Sequence, residues 1–314
     1  MPPLPFRPGR ILIGQLVPHL GIGDDSGVQP CVYPAADGTE KFGDLLVKDE
    51  KDLELKLQSR QLFAIELDGH GPFEPLVRGS TIAVSKLLPV LCKQDVPIIR
   101  CIGLNYMKHI QEGGRKPPPY PSVFIKPNTC LASFSDDIPI PEIAQEGTLD
   151  YEGELAIVIG KEGRNIEKEA ALDHVAGYCT SNDVSNRSWQ RDPAKAGVVP
   201  QWCFSKGFDK FAPLGPMIVS PSVVGDASGL HLQTLVNGEE RQNSPTNDLL
   251  FGVKELVSFC SQGTTLEVGT VILTGTPSGV AMGMKEPKYL KDGDEVEVRI
   301  SHLGSVRNRM VFEK

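Results

Sequence analysis

No part of this chain alternates strand-like and helix-like runs in the way a doubly wound α/β sheet requires. Strand character falls at 10–17, 31–33, 62–67, 120–126, 150–160, 177–183, 230–236, 239–242, 270–274, 295–300 and 305–312, broken by Gly, Pro, Asn and Asp clusters. Helical pattern is confined to short pieces at 103–112, 166–174, 184–190 and 253–261. The clearest local signal is Asn237-Gly238 between two strand-like runs, because this dipeptide supplies both positive-φ residues of a type I′ hairpin turn. Together these runs predict a β-rich α+β fold with short helices.

The 314 residues exceed what one small core organises. The composition shifts near Pro97, so we expect a small β-rich accessory domain over 1–96 and a main domain over 97–314. A net charge of -8 gives no electrostatic footprint for nucleic acid, and no apolar run has the length to span a bilayer. The opening Met1-Pro-Pro-Leu-Pro-Phe-Arg has neither the apolar core of a signal peptide nor an amphipathic transit pattern. Seven scattered cysteines with no C-x-x-C read as small buried hydrophobes in a reducing compartment, so a cytoplasmic protein is expected. The glycine-rich stretch 21–27 is followed by Pro30 and not by a helix, which argues against a dinucleotide loop.

The chemistry concentrates in the second half. Glu152 and Glu154 stand two apart in an otherwise apolar strand-like run, so period-two geometry puts both carboxylates on one face. Two like charges so placed repel, and a cation between them is the simplest remedy. The same pair is also what an exposed strand face carries. Asp183 opens a helix-like stretch with Arg187 and Gln190 at i+4 and i+7 on one face, which fits either a pocket wall or an N-cap aspartate with a surface partner. Oxygen ligands of this type suit Mg²⁺, Mn²⁺ or Ca²⁺ better than zinc.

His109 and Glu112, at i and i+3 beside the Gly/Pro loop 113–121, form either a surface ion pair or an oriented general base. Lys206, among turn residues, is a solvated lysine or a partner for substrate negative charge. Residues 274–279, Thr-Gly-Thr-Pro-Ser-Gly, follow an apolar strand and form a plain turn or an anion cradle including the Thr276 hydroxyl. The other histidines have no ligand-like spacing.

The order of these pieces is more specific than any one of them. Gly103-Leu-Asn-Tyr-x-x-His109-x-x-Glu112, Phe124-Ile-Lys-Pro127, Tyr151-Glu-Gly-Glu154, Asp183-x-x-x-Arg187-x-x-Gln190, Lys206-Gly-Phe-Asp209, Leu235-Val-Asn-Gly-Glu239 and Leu273-Thr-Gly-Thr-Pro-Ser-Gly279 resemble, in sequence order, the fumarylacetoacetate hydrolase family. The resemblance covers residue 97 onward. It implies mixed, rolled β-sheets, a homodimer, and Mg²⁺ or Mn²⁺ held by Glu152, Glu154 and Asp183. It further implies His109 and Glu112 as a water-activating dyad on a lid, Lys206 as a cationic assistant, and Arg187, Gln190 and Thr276 as substrate contacts. Longer family members carry an additional metal-binding acid near the His motif. Residues 100–108 contain none, so this chain resembles the shorter, three-carboxylate class. The activity expected from that resemblance is metal-dependent hydrolysis of a C–C bond in acylpyruvate-like 1,3-diketo acids. Decarboxylation of an oxaloacetate-like 2-oxo acid, or tautomerisation at the same site, is the alternative.

Overall fold

The computed structural model describes residues 30–34, 40–68, 73, 77–114 and 116–314. The expected strand at 10–17 and the glycine-rich stretch 21–27 lie outside the described residues. The fold is α+β and β-rich, as the short runs predict. Its main sheet has seven strands in the spatial order Ser122–Lys126, Ile99–Gly103, Val271–Leu273, Gly153–Ile159, Val175–Asn182, Ala212–Val219 and Leu131–Ser133. The pairs Val271–Leu273/Ile99–Gly103 and Ala212–Val219/Leu131–Ser133 are parallel; the other neighbours are antiparallel. A second sheet orders Glu239–Pro245, His231–Val236, Glu295–Ile300, Gly304–Phe312 and Ile138–Ile140.

The central strand Gly153–Ile159 is buried at every position, which explains its near-continuous apolar sequence. Leu155, Ile157 and Ile159 join one hydrophobic cluster, and Ala156 and Val158 join another on the opposite face. Full burial of each Leu, Ile or Val side chain contributes about 1.5–3 kcal/mol, so the middle of this strand holds in place the acidic residues at its N-terminal end. Gly153 allows the second sheet to close over that end: a Cβ there would lie 2.3 Å from Thr234 Oγ1 and 2.9 Å from Val298 Cγ1. Gln242, from the hairpin, accepts from the Gly153 N–H at 2.9 Å.

The Asn237-Gly238 hairpin forms as expected, with φ of 50° and 80°, and its second strand runs on to Pro245. Three helical expectations are corrected. The segment 103–112 is helical only over Met107–Glu112, because Gly103 ends a strand and Leu104 has φ of 57°. Lys168–His174 winds as a 3₁₀ helix. The stretch from Val184 is not one helix: Ser185–Asn186 pairs with Leu149–Asp150, and the helix is Arg187–Arg191.

The N-terminal region forms an antiparallel four-stranded sheet of Pro30–Pro34, Glu40–Leu45, Phe63–Asp68 and Val77–Ala83. It includes a helix not anticipated from sequence, Glu50–Ser59, capped by the Asp49 carboxylate accepting from Asp52 N–H at 2.9 Å. Only Leu53 of that helix is buried, so its apolar periodicity is faint. Leu45, Leu53, Leu62 and Ala64 join the larger cluster and Phe42 and Leu67 the other, so this sheet packs into both cores of the main body.

Candidate metal and active site

Glu152, Glu154 and Asp183 converge because two neighbouring strands end together. Gly153 pairs with Asn182 and Glu154 with Ser181, and the ladder continues one step as Asp183 N–H donates to Glu152 O at 2.8 Å. Glu152 and Asp183 therefore face each other across the end of the ladder, with Glu154 two residues further along. One carboxylate oxygen from each lies within 4.8 Å of the others, and all three residues are buried. The exposed-strand alternative for the glutamates fails on that burial. The N-cap alternative for Asp183 fails too: Asn186 caps the short helix by accepting from Trp189 N–H at 3.0 Å.

Buried cations surround the acids. The Lys206 ammonium donates to Glu152 Oε2 at 2.7 Å and to Asp183 Oδ2. Lys126 donates to Asp183 Oδ1 and to Phe211 O, both at 2.6 Å. Arg187 uses all three faces of its guanidinium: Nε to Asp150 Oδ2 at 2.8 Å, Nη2 to Glu152 Oε1 at 2.6 Å, and Nη1 to Gln190 Oε1 at 3.1 Å. Asp150 is held in turn by the N–H groups of Tyr151, Ala281 and Met282. Glu154 Oε2 accepts from Gly275 N–H at 2.7 Å. Gly275 has φ of 95°, and a Cβ there would meet Asn105 Cβ at 2.9 Å and Ile102 O at 3.0 Å, so glycine is required for this approach.

Burial raises the Glu152 carboxyl, but Lys206 and Arg187 outweigh it and hold the group at about 2. Glu154 is shifted the other way: burial, then the charges of Asp183 and Glu152, raise it well above the carboxylate range. Burial also disfavours the Lys206 ammonium, yet Asp183 and Glu152 reverse that effect and raise it. Charge bookkeeping explains the contrast. Asp150, Glu152, Glu154 and Asp183 face Lys126, Arg187 and Lys206, and the three cations bond to Asp150, Glu152 and Asp183. Glu154 is left with a neutral N–H donor, so either a proton or an added cation must balance it. A divalent ion with hard oxygen preferences fits that donor set. With all seven groups ionised it would turn a net charge of -1 into +1, suited to an acidic substrate.

Above the cluster lies a cavity of about 290 Å³ lined by His109, Glu112, Glu152, Arg187, Gln190, Lys206 and Thr276, with Phe124, Trp202 and Met282 among its apolar walls. The structure thus gathers the nine residues singled out by sequence into one region, with Glu154 and Asp183 beneath the lining. His109 Nδ1 lies 3.2 Å from Glu112 Oε2 on the helix Met107–Glu112. Thr276 is more engaged than anticipated: its hydroxyl donates to Gly153 O at 3.0 Å and accepts from Gln242 Nε2 at 2.8 Å.

Sequence reading assigned no role to Lys126, Asp150, Asn105 or Gln242. Lys126 shares the inward face of its strand with Phe124, a period-two signal that was present in Phe124-Ile-Lys. Asn105 ties Phe251 and Thr274 to the segment leading into the His109 helix, accepting from Phe251 N–H and donating to the carbonyls of Phe251 and Thr274. Nothing local announces that role. The expectation that the cysteines are buried holds for Cys101, Cys130, Cys179 and Cys260, whereas Cys203 is exposed and Cys92 half-buried; Cys101, Cys130, Cys179, Cys203 and Cys260 are free thiols.

Comparison with known proteins points in one direction. Residues 98–311 match the family model described as fumarylacetoacetate (FAA) hydrolase C-terminal. Over 228 residues the chain is 45% identical to an oxaloacetate tautomerase, mitochondrial, of Xenopus laevis, covering 73% of this chain and 69% of that one. It is 34% identical over 295 residues to the oxaloacetate tautomerase YisK of Bacillus subtilis, covering 86% and 96%. Among solved structures, a 2-hydroxyhepta-2,4-diene-1,7-dioate isomerase from Mycobacterium marinum superposes with a TM-score of 0.74 at 30% identity, covering 91% of this chain and 99% of the other.

Proposed function

The chain belongs to the fumarylacetoacetate hydrolase family, and from that premise we propose that it interconverts the enol and keto forms of a small 2-oxo dicarboxylic acid of the oxaloacetate type. The observation that carries this reading is one cavity with the hydrogen-bonded His109–Glu112 pair at its side and a buried cation–carboxylate cluster beneath it. Enolisation needs both parts. A base must move a proton at the carbon next to the carbonyl, and fixed positive charge must hold the enolate that results. The family resemblance to enzymes named as tautomerases and isomerases supports it, and moves the reading away from hydrolysis as the first activity.

Glu152, Glu154 and Asp183 would hold the Mg²⁺ or Mn²⁺ ion, which when bound polarises the 2-oxo group as a Lewis acid. His109, with Nδ1–H donating to Glu112, presents Nε2 to take the enol proton and deliver a proton to carbon. Lys206 supplies the fixed positive charge. Gln190 accepts from Arg187 through Oε1, leaving its amide N–H groups for a substrate oxygen. Arg187 and Thr276 hold Glu152, Gln190 and the start of the Gly153–Ile159 strand, and Arg187, with two further N–H groups on the cavity wall, keeps donors for substrate. The proposal includes a homodimer in the cytosol. The free thiols of Cys101, Cys130, Cys179, Cys203 and Cys260 support a reducing setting, and no helix among the described residues is long and apolar enough to cross a membrane.

The test follows decay of enol-oxaloacetate by ultraviolet absorbance. Acceleration over buffer that EDTA abolishes and Mg²⁺ restores is expected; a rate equal to that of buffer defeats the reading. Cleavage of acylpyruvate-type 1,3-diketo acids is the second reading, favoured by the same His109–Glu112 pair, which also serves to activate water. Release of pyruvate from such substrates would establish it, and release of CO₂ from oxaloacetate would mark a decarboxylase.

A further inference from the structure

Besides Lys206, which holds one oxygen of Glu152 and one of Asp183, each of the three clustered carboxylates has its other or only bonded oxygen held by a further donor of the protein. Lys126 Nζ holds Asp183 Oδ1 at 2.6 Å, Gly275 N–H holds Glu154 Oε2 at 2.7 Å, and Arg187 Nη2 holds Glu152 Oε1 at 2.6 Å. The opposite oxygens of Glu152 and Asp183 face each other, because the Lys206 ammonium touches both. Lys126 is the side-chain donor among them that the proposed reaction does not use. Its side chain is wholly buried, and its bond to Phe211 O ties it to the backbone. Asp183 is fixed as well: its N–H donates to Glu152 O, and its carbonyl accepts from Ser185 Oγ at 2.8 Å.

We propose that Lys126, with the Gly275 N–H and Arg187 acting likewise on Glu154 and Glu152, limits the site to one oxygen per carboxylate and so selects Mg²⁺ or Mn²⁺ against Ca²⁺. The inference rests on the metal reading of the three acids. Ca²⁺ takes roughly six to eight oxygens and commonly claims both oxygens of a carboxylate, whereas Mg²⁺ demands a near-octahedral shell of single oxygens. An ion reaches Asp183 Oδ2 and Glu152 Oε2 by displacing Lys206, which lines the cavity, whereas it reaches Asp183 Oδ1 only by displacing Lys126, which does not line the cavity and would be left stranded. Three single oxygens on one side leave the rest of an octahedron for substrate and water. Lys126 is therefore a positioning residue that sets metal choice through the geometry of Asp183.

Isothermal titration of the full, EDTA-stripped chain with MgCl₂, MnCl₂ and CaCl₂ tests this in the wild type, Lys126→Met and Lys126→Gln. Loss of a positive charge tightens every divalent ion, so the ratio of affinities isolates geometry. The wild type should prefer Mn²⁺ over Ca²⁺ by about tenfold or more, and Lys126→Met should narrow that ratio by about tenfold. Lys126→Gln, which keeps a neutral donor, should narrow it less. Equal wild-type affinities, or an unchanged ratio in a Lys126→Met protein with wild-type circular dichroism, overturns the proposal. Should the methionine variant fail to fold, the wild-type and glutamine ratios decide it by the same criteria. If the wild type binds none of the three ions, the metal site itself is refuted, which is a different result from an unselective site.

Discussion

The floor and the side of the cavity are built on opposite terms. On the floor, Asp183 and Lys126 are fully buried, and Arg187, Lys206, Glu152 and Glu154 nearly so, each with fixed partners. At the side, His109 and Glu112 keep side-chain exposures of 15% and 32% and hold each other with a single contact on a six-residue helix whose N-cap residue, Tyr106, gives no side-chain bond and whose Lys108 N–H donates to Asp248 Oδ2 at 3.1 Å. The floor is arranged before any ligand arrives, whereas the side pair follows wherever its short helix goes. Electrostatic stabilisation gains from the first arrangement, because fixed charges need not reorganise. Proton transfer requires only reach and orientation.

This contrast breaks most visibly at Asp183. Asp183→Ala strands the buried Lys126 and removes one partner of Lys206, so a loss of about 3–5 kcal/mol in urea unfolding is expected, together with loss of divalent-ion binding. A variant of near-normal stability would show that the floor is not the rigid element described. The side pair should respond in the reverse manner. His109→Ala is expected to lower kcat by about 10²–10⁴-fold, while unfolding free energy moves by under about 0.5 kcal/mol. Equal losses of activity and stability would erase the distinction between the two regions.

The smallest effect is in pH dependence, measured as the urea midpoint with EDTA and again with Mg²⁺. Glu152, held at about 2 against its usual 4.5, contributes stability above pH 4.5 that is lost as pH falls toward 2. Glu154 has the opposite sign. Its raised value means that the folded state keeps a proton the unfolded chain has released, so stability falls as pH rises above 4.5 through the folded value. Mg²⁺ should flatten that second slope, since the ion takes the place of the proton. A slope indifferent to Mg²⁺ would separate Glu154 from the ion.

Much of the site was legible because its spacings are local. Glu152 and Glu154 share a face by strand period, and His109 reaches Glu112 within one helical turn. Asp183 follows the strand Val175–Asn182, close to the expected run 177–183, but it does not open a helix: Ser185–Asn186 is a short strand and Asn186 takes the cap. The helix Glu50–Ser59 escaped notice because a mostly solvated helix carries little apolar periodicity. Thr276 looked available, and only its bonds to Gly153 and Gln242 reveal how far its hydroxyl is committed.

By itself, the amino-acid sequence determined the class of fold, the Asn237-Gly238 turn and the ordered set of acids, base and cations, since each follows from residue type and near-neighbour spacing. Tertiary structure alone decided the pairing of charges. Lys126 reaches Asp183 across 57 residues of chain, and Lys206 reaches Glu152 across 54. Strand order sets those distances. Within a buried space, where every charge needs a partner, they decide which carboxylates lysine and arginine neutralise and why Glu154 is left for another cation.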